Sequence, residues 1–252
     1  MNRFFVDGTL VKSSSATILD EKDVHHCVKV LRLQPGEEVE LCDGKGNEAI
    51  ARIDSVSKQS VELTVLECQA VLRESPIEIV LFQALPKAQK MEVILQKCTE
   101  IGLAGFVPVQ CERCVVRLSD ESDSRKKIGR WSDIVEEAAK QSKRGIVPTL
   151  HMPIRIQHAD QWMSEFDLIL VPHTGDGTEP LKTVLENAEK PKRIAVWVGP
   201  EGGFTEAEAL VLQELGGKRV TMGPRILRTE TAGMALGAVL QYHWGDFGGI
   251  EK

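Results

Sequence analysis

Near the C-terminal end of the chain two short apolar strands each run into a glycine-rich loop and then a helix. This repeated order restricts the fold more than any other feature. Residues 194–198 (IAVWV) read as a buried strand, and the loop Gly199-Pro-Glu-Gly-Gly-Phe204 follows it with glycines that let backbone approach a ligand. A helix then starts cleanly: Thr205 and Glu208 have capping-box spacing, Ala209, Leu212 and Leu215 lie three apart, and Gly216-Gly217 supply a stop. Residues 218–222 (KRVTM) form the second strand, Met222-Gly-Pro-Arg-Ile-Leu-Arg-Thr-Glu-Thr-Ala232 the second loop, and residues 231–244 a final helix. Strand ends of this kind face one crevice in open α/β sheets, where ligands bind. A third loop, His173-Thr-Gly-Asp-Gly177, follows the apolar run ending at Val171-Pro172 and belongs at the same edge.

The rest of the chain divides near residue 73. Before it, residues 39–41, 48–53 and 61–66 are short strands separated by turns at Gln34-Pro-Gly36 and Asp43-Gly-Lys-Gly46, a pattern that predicts a small β-barrel. Residues 20–33 (DEKDVHHCVKVLRL) read as a short helix feeding a strand. After Glu74-Ser-Pro76, strands at 77–82, 104–109, 167–171, 194–198 and 219–222 alternate with helices at 88–101 and 125–142, which predicts a mainly parallel α/β sheet. The expected domains are therefore 1–72 and 73–252.

Composition excludes several function classes. A chain with 42% hydrophobic and 27% charged residues is an ordinary globular one. No apolar run approaches a bilayer span, and the opening residues lack the apolar core of a signal peptide, so a cytoplasmic protein without membrane attachment is expected. The net charge of −6 is spread as −4 over residues 1–72 and −2 over 73–252, so any RNA contact must use local basic patches. Lys29 with Arg32, Arg125-Lys126-Lys127 with Arg130, Lys143-Arg144, and Arg225 with Arg228 supply them; the 125–130 run reads first as a solvated face. The six cysteines suit reduced thiols. Cys111-Glu-Arg-Cys114 has the spacing of a zinc or dithiol site but no second ligand pair, so no metal is expected. Asp43-Gly-Lys-Gly-Asn47 is explained by a hairpin turn rather than a dinucleotide loop, and neither a Walker loop nor a Gly-x-Ser-x-Gly elbow is present. His25-His26 read as capping or packing residues, with RNA contact as the alternative.

Gly199-Pro-Glu-Gly-Gly-Phe-Thr205 together with Leu227-Arg-Thr-Glu-Thr-Ala232 closely resembles the signature of the RsmE-type SPOUT methyltransferases, which methylate N3 of a uridine in 16S ribosomal RNA. Met1-Asn-Arg-Phe-Phe5, Val30-Leu-Arg32 before Pro35-Gly36, Lys97-Cys-Thr-Glu-Ile-Gly102, and Glu137-Ala-Ala-Lys-Gln141 with Arg144 and Pro148 match in the same order, so the resemblance spans the chain. It implies an N-terminal PUA-like β-barrel that helps bind RNA and a C-terminal SPOUT α/β domain with a trefoil knot. It also implies S-adenosylmethionine as methyl donor, 16S rRNA of the small ribosomal subunit as substrate, and a homodimer in which RNA lies across both subunits. General topology rules disfavour threaded chains, so the knot rests on the resemblance alone.

The same resemblance assigns roles. Donor binding falls to Pro172, His173, Thr174, Gly175, Val198, Gly199, Pro200, Glu201, Gly202, Gly203, Met222, Gly223, Ile226, Leu227 and Ala232, with Ile226 and Leu227 covering the adenine. Uracil N3 lies on the Watson–Crick edge, so the base must be unpaired or flipped. Arg228 is the expected catalytic residue, its guanidinium bonding a uracil carbonyl as charge develops; Glu230 either accepts the imide proton or holds Arg228 in place. A structural ion pair between Arg228 and Glu230 is the bland alternative. Arg225 meets phosphate or the donor carboxylate, or is simply exposed, and Glu201 orders its loop. Arg3, Lys29, Arg32, Arg113, Gln141 and Arg144 are the expected RNA contacts. The small residues Ala232, Gly233, Ala235, Gly237 and Ala238 suit a dimer interface or close packing within one subunit. A non-catalytic RNA-binding assembly factor of the same fold is the competing function.

Overall fold

The computed structural model describes residues 1–117, 121–175 and 177–249. It divides into two compact units, residues 1–74 with 139–147, and residues 75–138 with 148–252. In the first, β1 (Arg3–Phe5), β3 (Glu38–Cys42), β4 (Asn47–Val56), β5 (Val61–Ala70) and β2 (Ser15–Ile18) pair in that order as a five-stranded sheet. Only β1 with β3 is parallel. Alternation does the sorting: Val39 and Leu41 on β3, Ala49, Ala51 and Ile53 on β4, and Val61 and Leu63 on β5 enter one apolar core with Phe4, Ile18 and Val24. The Asp43 loop is a turn, as its composition implies. The Asp43 carboxylate accepts the Lys45 and Asn47 backbone N–H groups at 2.9 and 3.0 Å.

The segment expected to be a helix feeding a strand is helical throughout. Asp20 caps α1 (Glu21–His25), and the chain continues as a π-helical stretch, His26–Leu31, ending where Arg32 turns left-handed at φ 55°. Residues 139–147 join this unit through ion pairs: Lys140 lies 2.9 Å from Asp23, and Arg144 lies 2.8 Å from Glu74. Gly145 is obligatory there, because a Cβ would come within 2.5 Å of Val71.

In the second unit every strand pairing is parallel, as expected from the alternation of strand and helix. The order is β11 (Glu179–Pro180), β13 (Lys218–Thr221), β10 (Leu168–Pro172), β12 (Arg193–Val198), β6 (Glu78–Ala84), β7 (Gly105–Gln110) and β8 (Thr149–Leu150), with β9 (Ile154–Arg155) also on β7. Helices α2 (Lys90–Ile101) and α7 (Thr229–His243) pack on each other, and α7 also packs on β6 and β12. The remaining helices are α3 (Glu121–Gln141), α4 (Asp160–Met163), α5 (Leu181–Asn187) and α6 (Glu206–Glu214). Trp197 stacks on Phe82 at 4.3 Å between ring centres, with Trp162 and Phe166 edge-on to Phe82, so aromatic packing fixes β12 beside β6. The result matters for function: β13, β10 and β12 are consecutive neighbours running the same way, so the loops that follow them emerge at one edge. Among the described residues, no helix is long and apolar enough to cross a membrane.

Candidate active site

The three loops meet in a cleft of about 700 Å³, within the usual range for a small-molecule site. His173 and Thr174 follow β10, the Gly199 loop follows β12, and the residues from Met222 to Ala232 follow β13. Of the residues assigned to the donor, all line this cleft except Gly175, which sits just outside it and accepts a hydrogen bond from the Thr178 hydroxyl. Asp176 lies outside the described residues. The glycines have separate reasons. A Cβ on Gly199 would come within 3.0–3.2 Å of the Gly203 and Phe204 backbone, whereas Gly203 has a φ of 69°. Ile226 is 81% exposed, an aliphatic side chain on the cleft wall with little of this chain against it. A cleft that combines close backbone approach with an uncovered aliphatic group fits a ligand with a flat apolar base and a polar tail.

Thr229 locks the loops together. Its buried hydroxyl donates to the Gly199 carbonyl at 2.6 Å and accepts from the Gln83 amide at 2.9 Å, tying the start of α7 to the ends of β12 and β6. The capping box at α6 is present, and Glu208 does more than its spacing implies: it accepts the Thr205 N–H at 2.9 Å and the Glu112 N–H at 2.7 Å. Arg113, expected on RNA, is exposed at the cleft and donates to the Gly202 and Phe204 carbonyls at 2.8 and 3.4 Å. It braces the glycine loop. The sulfurs of Cys111 and Cys114 are 3.1 Å apart on that same turn. A hydrogen bond from Cys111 lowers the Cys114 thiol to about 7 despite burial, while that bond and burial raise Cys111. Among the described residues no group of His, Cys, Asp or Glu is arranged to hold a metal ion.

Arg228 is exposed on the cleft wall as the N-cap residue of α7. Glu230, two residues on, is engaged by Lys90 rather than forming a salt bridge to Arg228. Lys90 Nζ lies 3.1 Å from Glu230 Oε2 and 3.0 Å from Glu201 Oε1. Glu201 also accepts the Lys87 N–H at 3.1 Å, so its side chain is well supported despite its glycine neighbours. The Glu230 carboxyl is held below the usual range, chiefly by its own backbone N–H at the helix start, against burial, with Lys90 and the Arg228 charge adding. Burial raises Glu201, but its backbone bonds and Lys90 outweigh it and leave it lowered. Hydrogen bonds to Glu201 and Glu230 raise Lys90. Lys90 and Gln83 carried no sequence signal of their own, and Thr229 stood inside the Leu227–Ala232 signature without an assigned role; a lysine in a first helical turn looks like any solvated charge, and its carboxylate partners are far along the chain.

Two residues expected on RNA are instead engaged within the first unit. Arg3 is only 5% exposed along its side chain and is committed to Glu48 at 3.0 Å, Glu40 at 3.4 Å and the Arg144 carbonyl at 2.9 Å. Arg144 is buried at 6% and held by Glu74. Both are internal struts, because a guanidinium with little water around it needs its partners here. Lys29, Arg32 and Gln141 are exposed.

Comparison with known proteins agrees with this geometry. A family model described as an RNA methyltransferase domain matches residues 73–241, and one described as an RNA methyltransferase PUA domain matches residues 19–66. The chain is 37% identical over 246 residues to ribosomal RNA small subunit methyltransferase E of Bacillus subtilis, covering 95% of this chain and 96% of that protein. The Mycobacterium tuberculosis protein of the same name is 32% identical over 94% of this chain and 90% of its own length. Among solved structures, the Neisseria gonorrhoeae ribosomal RNA small subunit methyltransferase E bound to S-adenosyl methionine superposes with a TM-score of 0.85 at 36% identity, covering 98% of this chain and 99% of that one. A putative methyltransferase from Legionella pneumophila with bound SAM gives 0.86 at 32% identity, covering 97% and 98%. A glycine-loop cleft at the ends of three adjacent parallel strands and a family match from residue 73 to residue 241 lead to one conclusion: the chain belongs to the RNA methyltransferase family, among relatives named ribosomal RNA small subunit methyltransferase E.

Proposed function

We propose that the chain transfers the methyl group of S-adenosylmethionine to N3 of a uridine in 16S ribosomal RNA of the small ribosomal subunit. The observation that carries this reading is the cleft, where the residues that the sequence assigns to the donor come together with Arg228 on the wall. Solved relatives hold SAM. When bound, S-adenosylmethionine supplies a methyl group activated by a sulfonium. The chain does the rest. Gly199 to Gly203 admit a ligand to the backbone, Ile226 and Leu227 exclude water from an apolar base, and the Thr229 lock keeps both loops in register for in-line transfer. Arg228 donates to a uracil carbonyl oxygen as negative charge grows there. Glu230, kept ionised by the helix start and Lys90, is a weak base, so the N3 proton leaves to solvent water as the N–C bond forms, and Arg228 is the principal catalytic residue.

Finer features belong to the same proposal. The chain leaves β13 and returns past Gly199 to α7, which packs on α2, β6 and β12; this return supports a SPOUT domain with a trefoil knot between the Gly199 and Met222 loops. Lys29, Arg32 and Gln141 are the proposed RNA contacts. A homodimer forms through α7, and the protein works in the cytoplasm. We take residue 73 as the first boundary between an RNA-binding unit and the catalytic unit, with residues 139–147 returning to the first.

The test incubates the protein and labelled donor with small ribosomal subunits from a strain lacking the gene, then maps the label. A single N3-methylated uridine in 16S rRNA is expected. Tight donor binding by calorimetry with no label transferred would instead support the non-catalytic assembly factor.

A further inference from the structure

Lys90 occupies a position that local rules disfavour. It is the first residue of α2, where the helix dipole repels a cation, and the chain reaches it through Ala88, whose φ of 54° lies in the left-handed region that alanine avoids. Two unfavourable choices two residues apart indicate that something else selects them. That something is the pair of carboxylates: one ammonium lies within 3.1 Å of both Glu201 and Glu230, and the side chain is only 28% exposed. Glu230 lies in the first turn of α7, two residues after its N-cap Arg228, so the captor and the catalytic guanidinium share one helix start.

Resting on the methyltransferase reading, we propose that Lys90 is a positioning residue: it holds the Glu230 carboxylate away from Arg228 and so leaves the Arg228 guanidinium directed at the acceptor base. The Arg228 charge is the last of the influences that hold the Glu230 carboxyl down, and Lys90 acts on that carboxyl more strongly. Glu201 anchors the other side of Lys90 and is itself fixed by the Lys87 N–H, so the ammonium has a defined seat.

A mere strut between two loops and a device that frees Arg228 make different predictions for the double variant. Removing Lys90 lets Glu230 capture Arg228, whereas removing Glu230 as well deletes the captor. Full-length Lys90→Met is expected to lose about 10–100-fold in kcat on small ribosomal subunits while its calorimetric Kd for S-adenosylmethionine stays within about threefold, part of the loss seen when a charge-stabilising donor is removed. Lys90→Met/Glu230→Gln is expected to recover to within about threefold of Glu230→Gln alone, and Lys90→Arg to retain most of the wild-type rate. A strut predicts a double variant no faster than Lys90→Met, and that result overturns the proposal. Should Lys90→Met fail to fold, Lys90→Gln, uncharged but polar, carries the same expectation. Wild-type protein that transfers no methyl group overturns the activity itself; wild-type transfer without rescue overturns the role of Lys90 only.

Discussion

Arg228 and Glu230 share a loop but not a task, and substitution separates them. Among the described residues no salt bridge engages Arg228, which lines the cleft, so Arg228→Ala is expected to cut kcat by about 10²–10³-fold with little change in donor affinity, read by methyl transfer and calorimetry side by side. Glu230→Gln is expected to cost less than about tenfold; a loss of ~10²–10⁴ would make it the general base instead. The pH dependence has a definite sign. Glu201 and Glu230 are lowered, so they stay charged until the pH falls below the ordinary carboxylate range, and Lys90 is raised, so it stays charged until the pH exceeds the ordinary ammonium range. Turnover should therefore be flat across neutral pH, and an acidic limb near neutrality would show that another group controls it. The glycines and the Arg228 pair were legible in sequence because backbone approach and motif spacing are local. Lys90 was not, since its Glu201 partner lies 111 residues away and only the fold brings them together.

Helix α6 shows how an element becomes part of the site. Its capping box was readable from Thr205 and Glu208, but the second use of Glu208, on the Glu112 N–H, depends on a turn from another part of the chain. Thr205→Ala should cost about 1 kcal/mol, as for other caps. Glu208→Ala should cost more, roughly 2–3 kcal/mol, because two N–H groups then lose a partly buried acceptor, and urea melts of the two variants will rank them. Equal midpoints would mean that the Glu112 turn contributes nothing to α6. Elements with a clear period, such as α2, β4 and β12, were found within a few residues of their observed ends. Short ones were not: β1 and β2 are edge strands of three and four residues without a readable alternation, and β11 has only two. Residues 26–31 misled for a different reason. Their β-branched and apolar run suggests a strand, yet the capped start at Asp20 carries the helix onward until Arg32 turns.

At the scale of the whole molecule, the small residues of α7 decide between packing within a subunit and packing between subunits. Gly233 and Gly237 are spent inside: added Cβ atoms would come within 3.1 Å of Leu81 and 2.8 Å of Leu103. Ala235 and Ala238 are half-buried, while Val239 and Tyr242 are 38% and 74% exposed. The helix thus has a face already used by its own sheet and a second face that is apolar and open, which is the face available to another copy. Sequence alone could list the small residues but not sort them, because a helical period does not say which neighbour each stripe meets. If α7 forms the dimer, Val239→Glu with Tyr242→Lys should shift the sedimentation coefficient from dimer to monomer while leaving the core and the melting temperature of each subunit nearly unchanged, since exposed sites contribute within about 0.5 kcal/mol. Gly237→Leu should do the reverse, lowering stability by overpacking against Leu103 before it alters association. Dimers that survive the paired charges on α7, at concentrations where wild-type protein is also dimeric, would move the interface to another surface.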